Sequence, residues 1–363
     1  MRIGVPKEIK KHEYRVGLTP SAVSKYVAEG HDLFVERNAG IGTGFTDTDY
    51  TKAGAIICDV KNTFDKAEMI IKVKEPQTSE LLHFRKDHIL FTYLHLAADK
   101  KLTQELMSIG LTSIAYETIQ LQNRSHPCLT PMSEIAGRLS VQEGAKYLET
   151  PFGGAGILLG GIPGVKRGKV VILGGGVVGF NAAKIAQGIG AYTSILDISQ
   201  ERLAYLDDVF GSSVQTLFSN DANIESEIAD ADVVIGSVYV HGASAPKLIS
   251  RNHLKSMKKG AVLVDVAIDQ GGCFETSKAT THDKPIYDVD GIVHYCVANM
   301  PGVVPQTSTV ALNNQTLRYG LEIASGISPD KYNDALKLGV NTHDGKLICE
   351  AVANTHNLPF SAI

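Results

Sequence analysis

The sequence predicts an α/β protein of two doubly wound domains with a cleft between them, the N-terminal domain being discontinuous. Three observations predict it. Short apolar, β-rich runs alternate with helical patterns through the first part of the chain, the spacing of strand–helix–strand units on a parallel sheet. A second series of such units begins at Lys169, around a glycine-rich turn. The length of 363 residues exceeds what one typical core accommodates.

Each element follows from its pattern. Strands are expected at Arg2–Val5, Asp32–Glu36, Ala55–Ile57, Met69–Val73, Ile89–Tyr93 and Thr112–Tyr116, with helices at Ser21–Glu29, Ser79–Arg85 and Lys101–Ser108. Pro131–Lys146 reads as a linking helix. The glycine-rich segment Gly153–Gly164 reads as a flexible loop, because Leu159 stands where a third fingerprint glycine would be. Further strands are expected at Val214–Phe218, Val233–Ser237, Ala261–Ala267 and Val293–Ala298, and a long helix at Gln306–Ala324. The tail from Ser328 is too short for a domain and is expected to pack on the first one. The expected division is therefore 1–129 with 305–363, and 130–304.

Composition narrows the function classes. A formal net charge of -4 gives no basic footprint for nucleic acid. The five cysteines are scattered and form no C-x-x-C, so neither a disulfide framework nor a zinc site is indicated. Buried, reduced thiols in a cytoplasmic protein are the expectation. No apolar stretch is long enough to span a bilayer, Met1–Pro6 reads as a strand rather than a signal peptide, and no metal-ligand cluster stands out.

The most specific motif is Gly174-Gly175-Gly176-Val177-Val178-Gly179, between the apolar run Lys169–Leu173 and the helical run from Asn181. A second strand, Tyr192–Leu196, ends on Asp197, roughly 20 residues past the glycines, as in a Rossmann dinucleotide fingerprint. Gly174 permits the tight turn, Gly176 lets a pyrophosphate approach the backbone, and Gly179 lets helix and strand pack closely. The helix N-terminus offers N–H groups to phosphates. Asp197 can accept ribose hydroxyls and repels a 2′-phosphate, which favours NAD over NADP; Arg202 partly offsets that repulsion. In an open α/β sheet, ligands bind beyond the carboxyl ends of the strands. That rule singles out Lys74 and His95 in the first domain, and Ser219, Ser237, Asp269 and Asn299 in the second.

Several blocks together resemble alanine dehydrogenase and the related transhydrogenase nucleotide-binding subunits. They are Met1–Glu8, Glu13-Tyr14-Arg15-Val16, Lys72-Val73-Lys74-Glu75-Pro76, Tyr93-Leu94-His95-Leu96-Ala97, Ser113–Glu117, Pro131–Gly137 and Asp265-Val266-Ala267-Ile268-Asp269-Gln270-Gly271-Gly272. The resemblance covers the whole chain, and the order of the blocks is more specific than any one of them. One departure is Gln306, where the family often has a basic residue.

The resemblance implies reversible oxidative deamination of L-alanine to pyruvate and ammonia with NAD, by a homo-oligomer, commonly a hexamer. It implies that Arg15 and Lys74 hold the carboxylate and carbonyl side of the substrate, that His95 carries a proton, and that Asp269 is the second ionisable group. For the cofactor it implies Ser133, Gly174, Gly176, Val177, Val178, Gly179, Asp197, Arg202, Ser219, Val238, Tyr239, Val266, Ala267, Ile268, Asp269, Lys278, Val297, Ala298, Asn299 and Met300. On the residues alone, simpler accounts stand: Arg15 paired with Glu13 or Glu8, Lys74 paired with Glu75, Asp269 and Asn299 as turn residues, and His95 as any one of twelve histidines. Which of His95 and Asp269 handles which proton stays open. The rival functions are a transhydrogenase nucleotide-binding subunit, which lacks the His95 and Asp269 pair, a lysine-forming saccharopine dehydrogenase, and a non-catalytic NAD sensor.

Overall fold

The structure, a computed structural model, describes residues 1–238 and 245–362. The chain forms two compact units, Met1–Met132 with Gly302–Ile363, and Ser133–Pro301. The strands in chain order are β1 (Arg2–Val5), β2 (Asp32–Glu36), β3 (Ile56–Cys58), β4 (Met69–Ile71), β5 (Ile89–Thr92), β6 (Thr112–Ala115), β7 (Lys169–Leu173), β8 (Tyr192–Asp197), β9 (Gln215–Phe218), β10 (Val233–Gly236), β11 (Val262–Asp265), β12 (Ile286–Val289), β13 (Ile292–Tyr295), β14 (Val340–His343) and β15 (Lys346–Leu347). The helices are α1 (Pro20–Ala28), α2 (Asp47–Lys52), α3 (Val60–Asp65), α4 (Lys100–Ile109), α5 (Thr130–Tyr147), α6 (Val177–Gly188), α7 (Gln200–Phe210), α8 (Asp221–Ala229), α9 (Pro305–Ala324), α10 (Asp334–Gly339) and α11 (Glu350–His356).

The first sheet runs β15-β14-β6-β5-β4-β1-β2-β3, the second β12-β13-β11-β10-β7-β8-β9. Stripped of their antiparallel edges, both have the 3-2-1-4-5-6 order of a Rossmann fold. The strand order therefore reverses between β1 and β4 in one unit and between β7 and β10 in the other. The strands are apolar runs because both faces are covered: β4, β10 and β11 are buried at every residue. Around the second sheet, Val171, Leu173, Val234 and Leu263 pack with Ile224, Ile228, Ile249 and Phe274.

The structure adds to or departs from the sequence reading at four points. Ser79–Arg85 is not a helix but contains a single 3₁₀ turn, Leu81–His83. Glu80 turns inward to Lys72 and accepts the Gln77 N–H, which closes the segment early. Neither sheet is wholly parallel: β12 lies antiparallel on β13, and β14 antiparallel on β6. The short polar helices α2 and α3 are unanticipated by periodicity; side-chain caps start them, a Thr46–Asp49 capping box and Asp59. The last strand before α9 ends at Tyr295, not Ala298, and Val297 makes only an isolated bridge to Thr280.

In the first unit α9 closes on α1 at a point with no spare room. A methyl group at Gly320 would lie 1.8 Å from the Tyr26 hydroxyl. Tyr26 is fully buried and its hydroxyl has no hydrogen-bond partner. Overpacking of this kind costs about 1–3 kcal/mol. Gly320→Ala should therefore lower the Tm by several degrees, and adding Tyr26→Phe should recover most of the loss. Thermal melts check this, and a Gly320→Ala loss untouched by Tyr26→Phe would refute the packing account.

Candidate active site

In the first unit the polar groups gather where the strand order reverses. The loop leaving β1 carries Glu8, Glu13 and Arg15; the loop leaving β4 carries Lys72 and Lys74. Lys72 is completely buried, with its ammonium 2.6 Å from Glu80 Oε1 and 3.1 Å from Glu8 Oε2. Burial alone would discharge Lys72, but Glu8 and Glu80 more than offset that and raise its pKa. The other oxygen of Glu8 accepts the N–H groups of Val73, at 2.6 Å, and Lys74, at 3.3 Å. The two loops are thus bound together by a buried carboxylate.

Arg15 is buried and bidentate on Glu13, with Nε–Oε1 and Nη2–Oε2 both 2.6 Å. Its Nη1 points at Met132 Sδ, 3.1 Å away. Burial pushes the Glu13 carboxyl up, yet the hydrogen bonds and charge of Arg15, with Lys74 adding, hold it at about 2. So the simple ion pair of Arg15 with Glu13 is formed, in the interior rather than at the surface. Lys74 differs: Glu75 pairs with Lys10 instead, and no described carboxylate is within ion-pair distance of the Lys74 ammonium. Burial, then the charge of Arg15, lowers the Lys74 pKa.

His95 lies just past β5, exposed, with its backbone in the left-handed region at φ 51°, ψ 35°. Its ring is parallel to that of Tyr93, at 7° and 5.9 Å between centroids. Tyr93 is buried and donates from its hydroxyl to the Cys128 carbonyl at 2.6 Å. It is also close enough to Arg15 for its titration to feel that charge. Tyr93 thus neighbours both His95 and Arg15, and its N–H donates to the carbonyl of Val73, the residue before Lys74, at 3.2 Å.

In the second unit the three fingerprint glycines have three different causes. Gly174 is at φ +101°, a conformation side chains rarely adopt. A methyl group at Gly179 would lie 1.9 Å from the Gly174 carbonyl oxygen. Gly176 has φ -65°, and a methyl group there meets nothing within 4 Å. Neither backbone nor packing needs a glycine at 176, and the open space there leaves the backbone accessible to close approach by a ligand. Gly176 is the N-cap of α6 and no side chain caps the helix, so its first N–H groups, from Val177 and Val178 on, suit an anion such as a phosphate. Asp197, at the tip of β8, accepts the Gly175 N–H at 2.6 Å and the Ser199 N–H at 2.8 Å. Each oxygen keeps acceptor capacity for a further donor. Arg202 donates to the Gly175 carbonyl at 2.5 Å and lies over the Tyr205 and Phe180 rings. These groups fit the adenosine and phosphate half of a dinucleotide.

The other expected contacts also lie at strand tips. Ser219 follows β9 and its N–H donates to the Asp197 carbonyl at 3.0 Å. The Ser237 hydroxyl donates to the carbonyls of Leu173 and Gly174, both at 2.9 Å, tying β10 to the glycine turn. Val238 is half-buried beside it, and Tyr239 lies outside the described residues. Ser133 is half-buried near the start of α5. Past β11, Val266, Ala267 and Ile268 lead into a 3₁₀ turn, Ile268–Gln270, that presents Asp269 to solvent. That turn hangs from Asp265, which is buried and accepts N–H groups from Ala267 at 3.1 Å and Cys273 at 2.8 Å, together with the Ser277 hydroxyl. Lys278 is exposed, its N–H bound to the Tyr287 hydroxyl at 2.7 Å. Val297, Ala298, Asn299 and Met300 follow β13, with Asn299 at φ 63°. Among the described residues no group of three His, Cys, Asp or Glu side chains could hold a metal ion.

Three residues that organise the site carry no role in the sequence reading: Lys72, Glu117 and Asp265. All three lie inside the quoted blocks, but their partners are distant in sequence or are backbone N–H groups, which no local spacing reveals.

Two Rossmann-ordered sheets, one with a glycine turn, an uncapped helix start and a strand-tip aspartate, define a two-unit dinucleotide-binding protein. Comparison with known proteins takes this further. Residues 4–136 match the model for the alanine dehydrogenase/PNT N-terminal domain, and residues 140–350 that for the C-terminal domain. The chain belongs to the alanine dehydrogenase/PNT family, which implies a nicotinamide cofactor. It is 55% identical over 365 residues to an alanine dehydrogenase of Methanococcus maripaludis, covering 99% of this chain and 98% of that one. It is 53% identical over 367 residues to an alanine dehydrogenase of Geobacillus stearothermophilus, covering 100% and 98%. A solved L-alanine dehydrogenase superposes with TM-score 0.96 at 54% identity, over 98% of this chain and 99% of that one. A transhydrogenase from Sinorhizobium meliloti superposes with TM-score 0.85 at 24% identity, over 97% and 100%, a likeness of fold alone.

The Glu13 carboxylate has a pH signature. Its pKa is lowered in the folded protein, so its contribution to stability is complete above the unfolded value, near 4.5, and is lost as pH falls towards about 2. Glu13→Gln leaves Arg15 buried without its counter-charge, which costs about 3–5 kcal/mol. The Tm gap between parent and variant should be wide at pH 7 and narrow as pH drops from 4.5 towards 2. Thermal melts across that range decide it; a gap independent of pH would contradict the assignment.

Proposed function

We propose that the protein is an NAD-dependent alanine dehydrogenase, catalysing the reversible conversion of L-alanine, NAD and water to pyruvate, ammonia and NADH. The observation that carries this reading is Lys74. It is a half-buried cation with no ion-paired carboxylate among the described residues, near the Arg15–Glu13 pair, on the strand tip next to the one that carries the exposed His95. Such a group suits a small carboxylate substrate that also needs proton transfer at its reacting carbon.

The residues divide the work by chemistry. Arg15, with a planar fork of donors, and Lys74, a point charge, hold the carboxylate and carbonyl side of the substrate. A nicotinamide held by these residues would supply the acceptor for the hydride that leaves Cα of alanine, the oxidation that gives iminopyruvate. His95 takes a proton from the water that attacks the imine carbon, and ammonia then leaves to give pyruvate. Asp269, carried by the nucleotide-binding unit, is the second ionisable group of the proposed reaction. Gly174, Gly176 and Gly179 with the start of α6 hold the pyrophosphate, and Asp197 holds the adenosine ribose. Ser133, Ser219, Val238, Tyr239, Val266–Asp269, Lys278 and Val297–Met300 complete the cofactor contacts. Asp197 favours NAD over NADP, and Arg202 is already engaged with a carbonyl and two aromatic rings.

The transhydrogenase reading is not favoured, since the relatives at 53–55% identity over the full chain are alanine dehydrogenases. Alongside this function we place the enzyme in the cytoplasm, a reducing compartment that suits five free cysteines. We also infer a homo-oligomer, a hexamer on the family resemblance.

NADH should be consumed with pyruvate plus ammonium and not with pyruvate alone, followed at its near-ultraviolet absorbance. Faster turnover of 2-oxoglutarate with lysine would sink the substrate assignment. His95→Ala should bind NADH as the parent does and lose about 10²–10⁴-fold in kcat; near-parental kcat would remove His95 from the mechanism. Asp197→Ala removes the ribose acceptor and should weaken NADH at least about tenfold by titration, a loss of the size expected when hydrogen bonds to a charged acceptor are removed. Unchanged affinity would undo the ribose assignment.

A further inference from the structure

His95 needs something to hold it where it is. β5 and β6 are parallel neighbours, paired at their ends through Thr92 and Ala115. Two residues beyond those ends, Leu94 and Glu117 therefore stand level. The N–H groups past the end of β5 turn to the Glu117 carboxylate: His95 N–H donates to Oε1 at 2.6 Å, and Leu94 N–H to the same oxygen at 3.1 Å. Oε2 is 3.3 Å from the Leu94 nitrogen. One carboxylate thus closes the turn that puts His95 in the left-handed region, a conformation a non-glycine residue keeps only when its surroundings impose it. The turn in turn lays the imidazole parallel to Tyr93, which is fixed by its bond to the Cys128 carbonyl and its edge contact with Tyr116, 5.0 Å between centroids.

We propose that Glu117 is a positioning residue for proton transfer: it holds the backbone of Leu94 and His95 so that the imidazole is aimed at the reacting carbon. The proposal rests on His95 being the proton carrier. Glu117 itself is no proton carrier, because its carboxylate is engaged by backbone N–H groups. An ångström of misplacement at a catalytic group is worth about 100-fold in rate, so the effect falls on kcat rather than on binding.

The test is steady-state reductive amination of pyruvate with the full chain, together with NADH titration. Glu117→Ala should lower kcat about 100-fold while the pyruvate KM and the NADH Kd stay within about threefold. Glu117→Gln keeps a carbonyl oxygen for the turn and should recover kcat to within about tenfold of the parent. Adding Glu117→Ala to His95→Ala should cost nothing more, since there is no imidazole left to aim. Near-parental kcat for Glu117→Ala, or a full additional loss in the double variant, overturns the proposal. If Glu117→Ala yields no folded protein, Glu117→Asp replaces it: its shorter arm should lower kcat more than Glu117→Gln does, and the opposite order overturns the proposal. Slow His95→Ala with fast Glu117→Ala defeats this inference alone. Parental turnover by His95→Ala defeats it together with the proposed mechanism.

Discussion

The ammonium of Lys72, enclosed with Glu8 and Glu80, is the interaction on which the first unit's chemistry depends. A lysine with no exposure would lose its proton or unfold its surroundings without counter-charges. Here the two carboxylates come from opposite sides of the reversal in strand order, Glu8 from the loop after β1 and Glu80 from the segment after β4. Glu8 then uses its second oxygen on the backbone of Val73 and Lys74. The loops that carry Arg15 and Lys74 are therefore set by one buried network. Buried ion networks are often dispensable for stability when apolar side chains of similar volume replace them, but such a replacement here releases the Lys74 backbone from Glu8.

The two units repeat one topology and use it differently. Both reverse strand order between the first and fourth strands of the Rossmann series. In the second unit the loop at that point is built of glycines and backbone N–H groups, a surface for phosphates. In the first it is built of paired charges and one lysine without a carboxylate partner. The same backbone logic also recurs at the strand tips. Glu117 collects the N–H groups of Leu94 and His95, and Asp265 collects those of Ala267 and Cys273. In each case a side-chain carboxylate gathers backbone N–H groups just past a strand end, from the neighbouring strand's side for Glu117 and from the same strand for Asp265, and the residue thereby presented, His95 or Asp269, is ionisable and exposed.

The parts of this design legible in the sequence are those with local signatures. Alternating apolar runs locate most strands of both sheets, and the glycine turn with Asp197 marks the nucleotide unit, because each glycine acts within a few residues of itself. The antiparallel edges β12, β14 and β15 are illegible, since a short half-polar strand such as Ile286–Val289 or Lys346–Leu347 looks like a loop until its partner is known. Ser79–Arg85 misleads because its helical periodicity is overridden by Glu80, which turns inward to Lys72 and accepts the Gln77 N–H. Lys74 and Glu75 are adjacent and of opposite charge, yet Glu75 faces Lys10, more than sixty residues earlier in the chain. Charge pairing in sequence is a poor guide wherever side chains point away from one another.

Among the described residues Lys74 has no ion-paired carboxylate, although several carboxylates are near. Glu13 is committed to Arg15 at two oxygens, Glu8 to Lys72 and backbone, and Glu75 to Lys10. Glu75 and Glu13 still pull the Lys74 pKa upward from a distance, but its burial and the charge of Arg15 outweigh them and lower it. A group in that condition gains most from a bound anion, which restores its preference for the charged form. Binding of a small carboxylate and protonation of Lys74 are then linked, each favouring the other, by the same free energy in both directions. On the proposed reading, the commitment of Glu13, Glu8 and Glu75 to other cations leaves Lys74 to meet the negative charge that the substrate brings.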